Sequence, residues 1–300
     1  MSGTSFGIIV VVKIVQVKTK DGYHFRGLLS EPRKKSNKAI VHIHGMSGDF
    51  YINSYYPEMY EVYPKKGIAF IAGENRGTHS ITQFKKGDKY VNTGNTYEKF
   101  EDCVGDIQAW VDLAKKLGYK EIWLQSHSLG PSKVTYYMHK QKPENINGLI
   151  WLSPSDMIGL VHDPEGAKDH KILFPEAKRL VKAGKSEQLL SHKLWGDCIL
   201  SAGTYLNFFD KKSKTAIFNY GLPELGWDVV NNIEVPVLAI TGTKDDGITP
   251  VMDAHKAMRL LKQELKLCPR VRTIVYKDCK HGFHGFEKQI VTDVTKFILK

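Results

Sequence analysis

Six short apolar stretches constrain this chain most: Ala39 to Ile43, Ile68 to Ala72, Glu121 to Gln125, Leu149 to Leu152, Val237 to Thr241 and Thr273 to Tyr276. They are rich in β-branched residues and lack polar alternation, which suits strands buried on both faces of a parallel sheet. Parallel neighbours need long crossovers, and helical patterns fill the intervals. The clearest runs from Tyr97 to Leu117, where Phe100, Val104, Ile107, Trp110, Val111 and Ala114 recur at spacings of three and four. Asn95, with Glu98 three residues on, is its expected cap. Further helices are expected at Ser132 to Lys140, Glu176 to Lys182, Met252 to Lys266 and Glu287 to Leu299. Before the first crossover, Ile8 to Val17 and Tyr23 to Leu29 flank Asp21-Gly22, a strong hairpin signal. The pattern as a whole predicts a doubly wound α/β sheet with antiparallel strands at one edge.

The stretch from about Ser155 to Asn232 breaks this rhythm. It has no buried-strand pattern, weak helices and many aromatics, Trp195, Tyr205 and Phe209 among them. It is too long for a structureless loop, so a mostly helical insertion over one end of the sheet is expected. The organisation is then a core in two parts, 1–154 and 233–300, interrupted by a cap over 155–232.

Charge tests the alternative functions. The 43 basic against 32 acidic residues give a net charge of +11, which raises the question of an anionic partner. Only seven of the basic residues are Arg, however, and the lysines are scattered in pairs, whereas bidentate phosphate and guanine recognition favours Arg. Seven units of the excess fall in Lys256 to Lys300 and none in 155–232. A solvated Lys-rich surface is expected, with no nucleic acid as partner. Cys103, Cys198, Cys268 and Cys279 are far apart, with no zinc-like spacing and no disulfide framework. The N-terminal apolar run lacks the basic segment and cleavage site of a signal peptide. No stretch nears the ~20 apolar residues that span a bilayer, so a cytoplasmic protein without a membrane partner is expected.

The segment Ser126-His127-Ser128-Leu129-Gly130 places a hydroxyl between a buried strand and a helix, the setting of a nucleophile elbow. A sharp turn there lifts Ser128 Oγ out of the sheet, beside helix N-terminal N–H groups suited to a developing oxyanion. Small residues are needed two positions either side. Gly130 meets this, and Ser126 exceeds the usual glycine by one hydroxymethyl group. His44-Gly45-Met46-Ser47-Gly48 follows an early strand, as an oxyanion loop should, making the backbone N–H groups of Met46 and Leu129 the expected donors.

A serine hydroxyl needs a base, and the base a carboxylate. Gly242-Thr243-Lys244-Asp245-Asp246 and Lys280-His281-Gly282-Phe283-His284 follow the last two strands, giving Ser, Asp and His in the chain order of this fold class. Ser128, Asp245 and His281 are the expected catalytic residues. Asp246 and Asp156 are rival acids. His127, Trp195, Tyr205, Phe209 and His284 are candidate substrate contacts, and no metal site is indicated.

With His44-Gly45, Glu74-Asn75-Arg76-Gly77, the Ser128 elbow, the Gly242 to Asp245 spacing and His281-Gly282-Phe283, the chain resembles the α/β-hydrolase family over nearly its full length. More narrowly, it is similar to a bacterial and fungal serine-hydrolase branch that includes siderophore-ester hydrolases. The resemblance implies hydrolysis of a small-molecule carboxylic ester with no cofactor. The same residues would also serve an acyltransferase or thioesterase, and a ligand-binding pseudo-hydrolase is the non-catalytic alternative.

Overall fold

The computed structural model describes residues 11–300. Its elements in chain order are β1 (Val12–Lys18), β2 (His24–Ser30), β3 (Lys38–Ile43), α1 (Tyr55–Lys65), β4 (Ile68–Gly73), β5 (Thr82–Lys86) and β6 (Lys89–Thr93). There follow α2 (Cys103–Lys116), β7 (Glu121–His127), α3 (Gly130–Gln141) and β8 (Ile146–Leu152). Next come α4 (Met157–His162), α5 (Gly166–Lys182), α6 (Ala202–Phe209) and α7 (Asp228–Asn231), then β9 (Val237–Lys244), α8 (Ala254–Glu264), β10 (Val271–Lys280) and α9 (Glu287–Ile298).

Eight strands form one sheet in the order β1-β2-β4-β3-β7-β8-β9-β10. β2 pairs antiparallel with both β1 and β4, and every other pairing is parallel. This is the mostly parallel sheet with an N-terminal hairpin that the apolar runs predict. The first expected strand begins at Val12, and its Ile8 to Val10 portion lies outside the described residues.

Strand side chains alternate between faces, and here both faces are covered. Ala39, Val41, Ile122, Leu124, Leu149 and Trp151 point into one core with α2, α3 and α8. Ile40, Trp123, Ile150 and Leu152 point into the other with α1 and α9. That double burial is why these strands read as continuous apolar runs. Gly73 answers a close approach: a Cβ there would stand 2.1 Å from the Trp110 ring. Trp110 also ties α2 to the end of β4, donating from Nε1 to the Glu74 carbonyl at 2.8 Å.

The structure departs from expectation at α2. Asn95 does not cap it; the helix starts at Cys103 after a 3-10 turn over Phe100–Asp102, and Asn95 Nδ2 instead donates to Cys198 Sγ at 3.3 Å. Two elements carried no pattern recognised in the sequence. One is α1, whose buried stripe is built from Tyr55, Tyr56, Met59, Tyr60 and Tyr63 and not from aliphatics. The other is the β5–β6 hairpin, a separate two-stranded sheet.

Between β8 and β9 the chain forms α4 to α7 and contributes no strand to the sheet. This segment docks on the approach to α2. Ser201 N donates to the Thr96 carbonyl at 3.0 Å, Thr96 Oγ1 to the Ile199 carbonyl at 2.8 Å, and Phe100 N to Asn207 Oδ1 at 2.7 Å.

Candidate active site

β7 ends at His127 and α3 begins at Gly130, leaving Ser128 and Leu129 to make the turn. Ser128 has φ +63°, a left-handed conformation that costs a non-glycine residue roughly 1–2 kcal/mol. The surroundings hold it there: Ser128 N donates to the Leu152 carbonyl of β8 at 3.0 Å. A Cβ on Gly130 would meet the Ile43 carbonyl oxygen at 2.4 Å, so strand, loop and helix leave no room for a larger residue. Ser126 is accommodated differently. Its hydroxyl donates to the Ile150 carbonyl of β8 at 3.3 Å, so the extra hydroxymethyl group sits between strands and leaves the elbow closed.

At the same sheet edge, β9 leads into Asp245 and β10 into His281. His281 Nε2 lies 2.8 Å from Ser128 Oγ, and His281 Nδ1 lies 2.6 Å from Asp245 Oδ1. The carboxylate also accepts from Thr241 Oγ1 at 2.5 Å and from Gly247 N at 3.0 Å. Burial of Asp245 works against its ionisation, but the His281 charge and these hydrogen bonds outweigh it and hold the carboxyl well below its usual range. For His281, burial opposes protonation, yet Asp245 prevails and the pKa rises above the ordinary 6.5. The arrangement can draw a proton from the Ser128 hydroxyl onto an imidazole already oriented by a carboxylate.

The rival acids are placed elsewhere. The Asp246 side chain is 84% exposed, its Oδ1 3.8 Å from His281 Nδ1. Asp156 is buried as the N-cap of α4, accepting from Gly159 N at 2.7 Å and from Gly221 N at 2.8 Å, and burial pushes its pKa up to about 6. Asp245, Asp246 and His281 also present ligand atoms all within 4.8 Å of one another, the spacing of a metal site. Both Asp245 oxygens are already engaged with protein donors, so this trio is accounted for by the acid–imidazole pair.

The His44 to Gly48 loop lies directly against the elbow. A Cβ on Gly45 would stand 2.7 Å from Ser128 Cβ, 2.8 Å from the His127 carbonyl oxygen and 3.0 Å from Leu129 N. Among the described residues, neither Met46 N nor Leu129 N donates a hydrogen bond, leaving both amides available beside Ser128. Behind the loop, the His44 ring nitrogens lie 2.9 Å from the Gly45 carbonyl oxygen and from Thr78 Oγ1. Burial, with the Lys133 ammonium next, holds the His44 pKa down to about 3. Lys133 is itself fully buried, 2.5 Å from Glu98 Oε1 and 3.2 Å from Asn75 Oδ1. Arg76 binds Asp106 at 2.9 Å and Asp102 at 3.1 Å, which ties the Glu74 to Gly77 block to the start of α2.

A cavity of about 750 Å³ opens over Ser128 and His281. Of the five candidate substrate contacts, it brings only Trp195 to the wall. His127 is buried beneath, its Nε2 donating to the His281 carbonyl at 2.8 Å, and burial with the neighbouring His281 holds its pKa down to about 3. Tyr205 and Phe209 are fully buried behind the wall; Tyr205 bonds His170 at 2.8 Å, and Phe209 supports the Trp195 ring edge-on at 5.8 Å. His284 is exposed and does not line the cavity. Residues missed in the sequence include Ser155 and Gly247. Both follow ends of central strands, and that position is the signal that could have found them.

No family model matches the chain, and no curated protein matches it in sequence. Solved structures do match in shape. Est1E from Butyrivibrio proteoclasticus is 18% identical, with a TM-score of 0.65 over 95% of this chain and 97% of that one. A soluble variant of the monoglyceride lipase from Saccharomyces cerevisiae is 14% identical, with a TM-score of 0.66 over 99% and 98%. The Pyrococcus furiosus esterase Pf2001 is 17% identical, with a TM-score of 0.58 over 97% and 91%. At these identities the likeness carries the fold, which is that of the α/β hydrolases.

Proposed function

We propose that this protein is a serine hydrolase that cleaves a carboxylic ester of a small organic molecule. The observation that carries the reading is the hydrogen-bonded series Ser128, His281 and Asp245, with Ser128 on a strained elbow at the floor of a cavity. Ser128 Oγ attacks the ester carbonyl while His281 Nε2 takes its proton. The Met46 and Leu129 amides receive the oxyanion. The tetrahedral species collapses as His281 returns the proton to the leaving alcohol, giving an acyl-enzyme. Water, deprotonated by the same imidazole, then releases the acid. Asp245 orients the ring and stabilises its cation.

The segment 155–232 serves as the cap, supplying Trp195 and much of the cavity wall. That solved structures of this fold include named esterases and a lipase supports ester cleavage. The narrower sequence similarity adds siderophore esters to the substrates worth assaying.

Labelling with a fluorophosphonate probe and mapping the modified residue by mass spectrometry tests the assignment. Ser128 is the expected site, and Ser128→Ala should lower kcat on a p-nitrophenyl ester by roughly 10⁴ or more. Labelling elsewhere, or a Ser128→Ala variant with wild-type turnover, would sink it.

A further inference from the structure

We propose that the preferred ester carries a positive charge, an ammonium or quaternary ammonium group, near its scissile bond. The inference rests on the hydrolase reading and names its substrate class.

The chain as a whole is basic, 43 to 32, yet among the described residues the cavity over Ser128 is lined by Asp163, Glu165, Asp197 and Asp246 and by no Lys or Arg. Glu165 is balanced by Lys168 at 2.6 Å. Asp163 and Asp197 have no cationic partner among the described residues, and Asp246 meets only His281, at 3.8 Å. Asp163 spends one oxygen on the amides of Glu165 and Gly166, at 2.7 and 3.3 Å, and its other oxygen has no hydrogen-bond partner among the described residues. These carboxylates come from separate places in the chain: Asp246 follows β9 beside the imidazole, whereas Asp163 and Asp197 lie in the segment above it. They line the cavity that holds the candidate nucleophile and do not form an isolated surface cluster.

Trp195 adds an independent element. Among the described residues it is the one large aromatic on the cavity wall, 39% exposed, and Phe209 backs its ring. Its backbone N–H is tied to Asp169 Oδ2 at 2.7 Å. An indole beside free carboxylates suits an ammonium ion, because the ring face attracts cations without the full desolvation cost of a buried ion pair. Met46, Met157, Leu160 and Pro250 add apolar surface to the wall. A cleft of one charge sign with such walls focuses its field inward, raising the local concentration of cations and excluding anions. A carboxylate or catecholate ester meets charge of its own sign here.

The test compares butyrylcholine with 3,3-dimethylbutyl butyrate, in which a tert-butyl group replaces trimethylammonium at equal size. The expected kcat/KM ratio favours the cation by roughly 10-fold at low ionic strength and shrinks towards unity in about 0.5 M NaCl. Asp197→Asn and Asp246→Asn, both at exposed side chains, should each lower that ratio about two- to fivefold, chiefly through KM for the cationic ester. Trp195→Leu should lower it as well. Equal rates on the two esters, or a ratio that neither salt nor any of these substitutions moves, would overturn the charge preference and leave the esterase reading intact. No turnover of either ester, with no fluorophosphonate labelling, would overturn both.

Discussion

Replacing Asp245 by Asn removes a charge with almost no change in shape, and the surrounding donors determine how the new amide settles. Thr241 Oγ1 donates to Oδ2 at 2.5 Å, whereas Gly247 N, at 3.0 Å, shares Oδ1 with His281 Nδ1, at 2.6 Å. An amide oxygen in the Oδ1 position keeps both of those donors, and the NH₂ group then faces the Thr241 hydroxyl, which can accept from it. Nδ1 keeps its proton and Nε2 stays free to receive the Ser128 proton, so what is lost is the negative charge that stabilises the imidazolium. The loss expected is about 10² to 10³ in kcat, or about 3–4 kcal/mol of barrier. The pH profile changes too. His281 must be neutral to act, so in the wild type its raised pKa sets the acid limb of kcat/KM above 6.5. Without the Asp245 charge, burial is left to disfavour the imidazolium, and the limb should move below 6.5. The assay is kcat/KM on p-nitrophenyl butyrate across pH, with circular dichroism to verify folding. A folded Asp245→Asn variant keeping more than a tenth of wild-type activity, or an acid limb that stays put, would refute the reasoning.

Gly45→Ala presses a methyl group onto the elbow backbone, 2.8 Å from the His127 carbonyl oxygen and 3.0 Å from Leu129 N, and should displace the amides proposed to receive the oxyanion. Steady-state kinetics should show kcat down by about 10² to 10³ with KM nearly constant. Lys133→Met leaves the buried Glu98 carboxylate without its ammonium and should cost about 3–5 kcal/mol in urea unfolding, most of it regained when Glu98→Gln is added.

The sheet was legible because β3, β4, β7, β8 and β9 are buried on both faces, and double burial leaves an uninterrupted apolar run in the sequence; β10, at the sheet edge, is half-buried and was read from its β-branched residues. The candidate nucleophile, base and acid were legible for a related reason: each follows a strand that ends at one sheet edge, so chain order stands in for spatial position. Helix α1 escaped notice because its buried face is made of tyrosines, which a search for aliphatic periodicity passes over. Asn95 and Glu98 look like a capping box, but Glu98 is drawn instead to Lys133, a partner thirty-five residues away that no local pattern could announce. The same limit applies to the cavity wall. Trp195 and Tyr205 are equivalent aromatics in the sequence, and only the packing of α5 and α6 decides that one faces the cavity and the other lies behind it.

The parallel pairing of β8 with β9, Leu149 beside Val237, has a consequence for how the protein is made. Ser128 and His281 are 153 residues apart, and at about 5–20 residues per second a ribosome delivers them roughly 8 to 30 s apart. Throughout that interval the nascent chain holds a serine without its base, and the elbow lacks the β9 and β10 edge that presents Asp245 and His281. Ester turnover in a cell-free translation would therefore begin only after β10 has added to the sheet. On the proposed mechanism, the onset of activity then serves as a clock for the last step of assembly, and until that step the growing chain would be silent towards an ester supplied to it.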